Sequence, residues 1–181
     1  MRLAVLAVCI MVAAAFGLWR GWTSVTVDPP GPPPVCQLIR PELFDVLVPG
    51  HGPLRSEGEE QSMPGTRSNT CLAENTPRMD GARASLWVAL VRCGRHDGDG
   101  PRCIERDGAM PTALNRVKHR VALGDGAGYV VSGNPVTGQV VNFSACLGTY
   151  LVYVRYEAVG ATQPATVESA TVVAEEVLSW L

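Results

Sequence analysis

The spacing of apolar side chains along this chain predicts three helices and four strands. In the helical segments apolar residues recur every three or four positions, as on one face of an amphipathic helix. The helices are predicted over residues 38–48, 111–123 and 163–181. Strands are predicted over residues 84–93, 128–132, 139–146 and 149–157. Because residues 84–93 are apolar on both faces, that strand is expected to be central in its sheet. The order of the elements predicts an α+β fold, with an antiparallel β-sheet packed by helices.

Turn-forming residues separate these elements. Pro49 follows the first helix, Gly124 is expected to end the second helix, and Gly148 suits a tight hairpin between the last two strands. Thr162 is a candidate N-cap for the last helix. Residues 51–69 contain almost no large apolar side chain. They are therefore predicted to form a mobile surface loop.

The first 22 residues have the pattern of one N-terminal hydrophobic membrane segment. Residues 3–19 contain no charged residue. This uncharged run is at the lower edge of the length that spans a bilayer, about 17–25 residues. An uncleaved anchor and a cleaved signal peptide both fit, and Trp19 and Trp22 beside Arg20 favour the anchor. Either reading exports the rest of the chain. We expect a single-pass protein of the cell membrane with its C-terminal domain outside, or a secreted protein if the segment is cleaved.

A proline-rich stretch follows the hydrophobic segment. Five of the six residues 29–34 are proline, a composition that favours a stiff polyproline II conformation. The chain is thus predicted to have three parts: a signal anchor or signal peptide over residues 1–22, a spacer over 23–35 and an extracytoplasmic α+β domain over 36–181. The formal net charge of −2 and the scattered basic residues give no case for a nucleic-acid partner.

Three short segments together carry a family resemblance. They are the run Cys-Gln-Leu-Ile-Arg-Pro-Glu-Leu at residues 36–43, Thr-Cys at residues 70–71 after a polar stretch, and the amphipathic helix around residues 174–178. With these segments the chain resembles the actinobacterial cell-envelope lipoproteins that carry a domain of unknown function. That domain is akin to the extracellular sensor domains of bacterial Ser/Thr kinases.

The resemblance covers residues 35–181 and implies a curved antiparallel sheet, a disulfide between Cys36 and Cys71 and no known catalysis. The chain departs from the family in two respects. Cys9 does not supply the lipobox cysteine, and three further cysteines exceed the usual pair.

The cysteines fit an oxidising exterior. Five of them lie after the hydrophobic segment, which allows two disulfides and one free thiol. Besides the pair implied by the resemblance, Cys93 with Cys103 is favoured, because these two bracket a Gly/Asp-rich turn. The alternative joins Cys146 to Cys93 or Cys103. The remaining thiol is then Cys146 or Cys103, and we expect Cys146 to act as a small buried apolar residue.

No group of residues has the pattern of a catalytic or metal centre, so no cofactor is expected. The chain has three histidines: His51, His96 and His119. The densest polar cluster is interpreted as a solvated turn rather than a calcium site, and it comprises His96, Asp97, Asp99, Glu105 and Asp107. Three tyrosines of the last strand are candidates for pocket or interface lining, with cross-strand packing as the alternative: Tyr150, Tyr153 and Tyr156.

Export, a stiff spacer and disulfides without a catalytic pattern indicate a non-enzymatic role. We expect a membrane-tethered extracytoplasmic domain that binds a cell-envelope component or a membrane protein partner. The alternative is a cell-envelope hydrolase whose site is assembled from distant residues, such as His96 with nearby acids.

Overall fold

The computed structural model describes residues 33–63, 66–75, 83–92 and 119–181. The chain divides into two units, Met1–Pro30 and Gly31–Leu181, and the described residues all belong to the second. The elements, in chain order, are α1 (Val35–Leu38), α2 (Pro41–Leu47), β1 (Arg55–Met63), β2 (Thr66–Glu74), β3 (Ala84–Arg92), β4 (His119–Val121), β5 (Gly126–Asn134), β6 (Gly138–Leu147), β7 (Tyr150–Ala158) and α3 (Gln163–Leu178). The predicted α+β class with an antiparallel sheet is confirmed.

The predicted membrane segment, residues 1–22, lies outside the described residues, and so does most of the proline-rich spacer. Among the helices of the described part, none combines the length and the apolar character that crossing a bilayer requires.

The seven described strands form one sheet in the order β1-β2-β3-β7-β6-β5-β4, and every neighbouring pair is antiparallel. Within each half of the sheet, β1-β2-β3 and β7-β6-β5-β4, every strand pairs with strands that are adjacent to it in sequence. The two halves are joined by β3 and β7, which are distant in sequence. Leu86 of β3 lies opposite Tyr156 of β7, and Val88 lies opposite Val154. The central position predicted for β3 is confirmed.

Helix α3 covers one face of this sheet. The Thr162 hydroxyl accepts a hydrogen bond from the Ala165 amide at 3.4 Å, which caps the helix as predicted. Pro164 lies in the first turn, where the backbone N–H that proline lacks would have no partner within the helix. The helix packs on β6 and β7. Its buried stripe consists of Thr166, Ala170, Val173, Ala174, Val177 and Leu178.

The start of the domain is attached to the same face. Cys36 of α1 forms a disulfide with Cys71 of β2, so the pairing implied by the family resemblance is confirmed. Two residues earlier in β2, the Asn69 side chain accepts a hydrogen bond from the Val35 amide at 2.8 Å and donates one to the Pro33 carbonyl at 2.6 Å. The chain is therefore fixed to β2 covalently and by hydrogen bonds where it enters the domain.

The loop predicted over residues 51–69 is wrong for most of its length. Residues 55–63 form β1, and residues from Thr66 onward belong to β2. Strand β1 lies at the edge of the described sheet and its pairing with β2 has two register shifts, around Glu57, Glu60 and Met63. An edge strand needs no alternating apolar face, and charges and bulges protect it from pairing with other molecules. The polar composition that indicated a loop is thus that of a protected edge.

The helix predicted over residues 111–123 is wrong at its end. Residues 119–121 form the short strand β4, paired with β5, while residues 111–118 lie outside the described part. Gly124 therefore does not cap a helix. It has a φ of 59°, and a Cβ atom there would lie 2.2 Å from the carbonyl oxygen of Cys146. The turn before β5 approaches β6 so closely that only glycine fits.

The remaining predicted elements are confirmed with small changes of boundary. Strands β5, β6 and β7 are present, and Gly148 lies in the two-residue turn between Leu147 and Tyr150. The first predicted helix is divided, because the residue before Pro41 is extended and α2 begins at the proline. Helix α3 ends at Leu178 rather than at residue 181.

Candidate functional site

The sheet has two faces of different character. Alternate residues of β3 point to opposite sides, and Leu86, Val88 and Leu90 are fully buried in the core beneath the helices. We call this side the inner face. Trp87 and Val91 point to the other side, the outer face, and are only half-buried. The two apolar faces predicted for β3 are therefore unequal.

A groove of about 720 Å³ lies on the outer face, across β2, β3 and β7. This volume is within the range of small-molecule sites, about 300–1,000 Å³. We call it the Trp87 groove. Its lining residues are Leu72, Glu74, Arg83, Ser85, Trp87, Ala89, Val91, Leu151, Tyr153, Arg155 and Glu157.

Strand register arranges the charged end of the groove. Glu74, Ser85 and Glu157 lie side by side on β2, β3 and β7. Directly opposed residues of antiparallel strands have Cβ atoms about 4.5–5.5 Å apart and point to the same face. This row therefore places the Ser85 hydroxyl between two carboxylates, one on each neighbouring strand. Arg83 lies two residues before Ser85 in the sequence.

The groove becomes less polar along the strands. In the next row, Trp87 lies between Leu72 and Arg155. Beyond it lie Ala89 and Leu151, which are buried at 4% and 7% exposure but are not part of the inner-face core. The groove thus runs from a charged end, past an aromatic centre, to an apolar end where Ala89 and Leu151 are covered and Val91 is half-buried.

Two aromatic rings form a corner in the centre of the groove. The ring centroids of Trp87 and Tyr153 are 5.4 Å apart, with an interplanar angle of 70°. This edge-to-face geometry is the one that aromatic quadrupoles favour. The Tyr153 hydroxyl donates a hydrogen bond to Oδ1 of Asn142 at 2.7 Å, which fixes the position of the ring. Burial raises the pKa of Tyr153, and the positive charge of Arg155 partly opposes this, so the hydroxyl keeps its proton near neutral pH.

The polar side chains of the groove differ in their contacts with other described residues. Nη2 of Arg155 lies 3.5 Å from Oε2 of Glu157. The side chains of Glu74, Arg83 and Ser85 make no hydrogen bond or ion pair with any other residue that the structure describes. Within the described part of the chain, these three polar groups beside the aromatic corner are available for hydrogen bonds to a ligand.

The three candidate tyrosines have different positions. Tyr153 lines the groove, as one of the two interpretations predicted. Tyr156 points to the inner face and donates a hydrogen bond to the Leu47 carbonyl at 2.9 Å, which is the packing alternative. Tyr150 has its ring centroid 5.9 Å from Cζ of Arg92.

Neither described histidine lies in the groove. His51 has Nδ1 2.6 Å from the Gly52 carbonyl and Nε2 3.4 Å from Oδ1 of Asp45. His119, expected on a helix, lies on β4 and stacks on Tyr129 at 4.9 Å. Within the described ranges no three His, Cys, Asp or Glu side chains are grouped as a metal site would need. The polar cluster predicted as a solvated turn lies outside the described residues: His96, Asp97, Asp99, Glu105 and Asp107.

Of the three other cysteines after the hydrophobic segment, the structure describes one, Cys146. Cys146 is a free thiol and fully buried, so the alternative that joined it to another cysteine is not borne out. Cys93 and Cys103 lie outside the described residues, and their pairing stays a prediction.

Most groove residues were missed by sequence reasoning. The pattern predicts only that Trp87 lies on a central strand with two apolar faces. It does not single out four charged residues of the lining: Glu74, Arg83, Arg155 and Glu157. The one local signal was in β7, where Leu151, Tyr153, Arg155 and Glu157 alternate with Val152, Val154 and Tyr156. That alternation indicates two unlike faces.

Comparisons of the chain with models of protein families, with curated proteins and with solved structures give no match. The resemblance to actinobacterial cell-envelope lipoproteins therefore stays a prediction. The function has to be argued from the groove.

Proposed function

We propose that this chain is a non-catalytic, membrane-tethered extracytoplasmic domain that binds a cell-envelope component or a membrane protein partner in the Trp87 groove. The observation that carries the proposal is the aromatic corner of Trp87 and Tyr153 beside three polar side chains that make no hydrogen bond to another described residue. An open concave surface of this size with a few converging polar groups is typical of a binding site.

The location outside the membrane rests on sequence and on one covalent bond. Residues 3–19 have the pattern of a signal anchor, and the proline-rich stretch would hold the domain away from the bilayer. The disulfide between Cys36 and Cys71 supports an oxidising compartment, because such bonds are rare in reducing ones.

The chemistry of the lining supports binding rather than catalysis. A nucleophile needs a base within hydrogen-bond reach. The described lining contains no histidine or cysteine, and the possible bases beside Ser85 are the carboxylates of Glu74 and Glu157. Ser85 makes no hydrogen bond to a base within the described part of the chain. We therefore expect a bound ligand to be recovered unchanged.

Cosedimentation of the full chain, reconstituted in lipid nanodiscs without free detergent, tests the proposal. Insoluble wall and membrane vesicles from an actinobacterium are mixed separately with the wild type, with Trp87→Ala and with Trp180→Ala. Trp180 is the matched control, because it is 64% exposed and does not line the groove. We expect the wild type and Trp180→Ala to sediment with at least one fraction, and Trp87→Ala to bind at least about tenfold more weakly.

Equal sedimentation of Trp87→Ala and the wild type would overturn the proposal, as would the absence of binding to both fractions. Chemical change of the bound material would overturn the non-catalytic role. Thermal unfolding of each variant checks that the loss is not caused by misfolding, and Tyr153→Ala gives a second test of the same corner.

A further inference from the structure

We infer that the ligand of the Trp87 groove is a neutral saccharide. A sugar ring would pack on the indole of Trp87, and its hydroxyl groups would bond to Glu74, Arg83 and Ser85. This inference rests on the proposed function, because it assumes that the groove is the binding site. It adds the chemical class of the ligand.

The aromatic corner suits the apolar face of a sugar ring. The C–H bonds on one side of a pyranose carry a small positive charge, and the face of an indole carries a negative one. Tyr153 contacts Trp87 edge to face, at an interplanar angle of 70°, so it forms a wall rather than a stacked cover. Trp87 is half-buried, which leaves part of the ring open to a ligand.

The polar row suits the hydroxyl groups of that ring. A hydroxyl both donates and accepts, so it pairs equally with a carboxylate, a guanidinium and another hydroxyl. Glu74 can only accept, Arg83 can only donate, and Ser85 can do both. Ser85 is two residues before Trp87 on β3, a separation of about 7 Å along a strand. The hydroxyl groups at the edge of a sugar ring stacked on Trp87 would therefore come within hydrogen-bond distance of Ser85.

The balance of charge disfavours an ionic ligand. Two arginines and two glutamates line the groove, so its formal net charge is zero. A phosphate or sulfate group near Arg83 would also meet Glu74 and Glu157, and a cation would meet Arg83 and Arg155. A neutral, hydroxyl-rich ligand uses both kinds of side chain without repulsion.

The apolar end disfavours a lipid chain. Ala89 and Leu151 are already 4% and 7% exposed, so a ligand gains little by covering them. An acyl chain binds through the apolar area that it removes from water, about 25 cal/mol per Å². The half-buried apolar residues of the lining are Leu72, Trp87 and Val91, and the covered Ala89 lies between Trp87 and Val91 on β3, which interrupts the accessible apolar surface along that strand.

The test uses defined fractions of one actinobacterial wall. Wall stripped by protease and extracted with organic solvent keeps its saccharides, and amino-acid-free oligosaccharides released from it serve as the soluble probe. Binding of the full chain to this probe is measured by isothermal titration calorimetry. We expect the wild type to bind and Trp87→Ala to lose at least about tenfold in affinity.

A second variant tests the polar row. Glu74→Gln keeps the shape but removes the charge that strengthens hydrogen bonds from sugar hydroxyls, and we expect a loss of about tenfold. Glu175→Gln is the matched control, because Glu175 is exposed on α3, which packs on the inner face. It should bind as the wild type does.

The outcomes separate this inference from the proposed function. If Trp87-dependent binding to the wall disappears after protease or solvent treatment, or if the vesicles alone bind, the ligand is a protein or a lipid and only the saccharide inference fails. Failure of the wild type to bind the amino-acid-free oligosaccharides likewise overturns the inference. If no fraction binds in a Trp87-dependent manner, the proposed function fails as well.

Discussion

The two faces of the sheet share one backbone but differ in burial and in polarity. On the inner face, Val88, Phe143 and Val154 are completely buried beneath the helices. On the outer face, Trp87 and Tyr153 are half-buried among charged side chains. Both faces come from the same strands, since successive side chains of a strand alternate between the two sides.

The difference indicates where stability and function reside. Burial of apolar area is the main favourable term in folding, and most of it lies on the inner face. The outer face can therefore keep partly exposed aromatic rings and charged side chains at little risk to the fold. Exposed aromatic residues that contribute little to the core are typical of ligand sites.

The strongest test of this comparison replaces one aromatic ring on each face. Phe143→Ala removes a fully buried ring from β6 and should lower the free energy of unfolding by about 3–5 kcal/mol. Trp87→Ala removes a half-buried ring and its contact with Tyr153, and should cost about 1–2 kcal/mol. Urea unfolding at equilibrium measures both values. Equal costs would mean that the outer face is a second core.

The disulfide gives the next largest effect. Replacing Cys36 and Cys71 together by alanine opens a loop of 35 residues. On the chain-entropy account this lowers the free energy of unfolding by about 3–4 kcal/mol. The same unfolding measurement checks it under oxidising conditions. A loss below about 1 kcal/mol would show that the hydrogen bonds of Asn69 already hold the entering chain.

The hydrogen bonds of the Tyr153 and Tyr156 hydroxyls allow a smaller test. Tyr156→Phe leaves the Leu47 carbonyl without its hydrogen bond on the inner face, at a cost of about 1 kcal/mol. Tyr153→Phe removes the corresponding bond to Asn142 on the more open outer face, where water can replace it, and should cost less. The reverse order would contradict the assignment of stability to the inner face.

The pH dependence of stability gives an independent measure of Tyr156. Burial raises its pKa above the usual value of 10.0, and a hydrogen bond with the Ser169 side chain partly opposes the shift. A raised pKa in the folded state means that the contribution is fully present below about pH 10 and is lost as the pH rises through the folded pKa. Wild-type stability should fall above pH 10, and Tyr156→Phe should show a shallower fall in the same titration.

The smallest expected effect concerns the ion pair of the groove. Arg155 is 54% exposed and its distance to Glu157 is 3.5 Å, so water screens the attraction. Glu157→Gln should change the free energy of unfolding by less than about 0.5 kcal/mol. A larger loss, measured by urea unfolding, would mean that the charged end of the groove supports the fold.

Local patterns were sufficient for part of this fold. Strands β5, β6 and β7 and helix α3 were predictable because each has its own periodicity and its own turn or cap, such as Gly148 and Thr162. The Cys36–Cys71 disulfide came from a resemblance rather than from periodicity. Strand β1 was not predictable, because its polar side chains carry no periodic signal and its partner β2 supplies the hydrogen bonds.

The groove was the least predictable feature. Glu74, Trp87 and Arg155 are far apart along the chain, and only the pairing of β2, β3 and β7 brings them to one surface. The composition of β3 showed two apolar faces but not which one the helices would cover. That choice depends on where α3 packs, which is a property of the whole sheet.

The sequence by itself determined the α+β class, most of the described strands and the capped C-terminal helix, because these depend on spacings within a few residues. The tertiary structure alone decided that Trp87 and Tyr153 share an open face, that Tyr156 does not, and that a polar segment forms an edge strand. The physical reason is that register between distant strands sets which side chains share a face, and a shift of one residue would reverse every side.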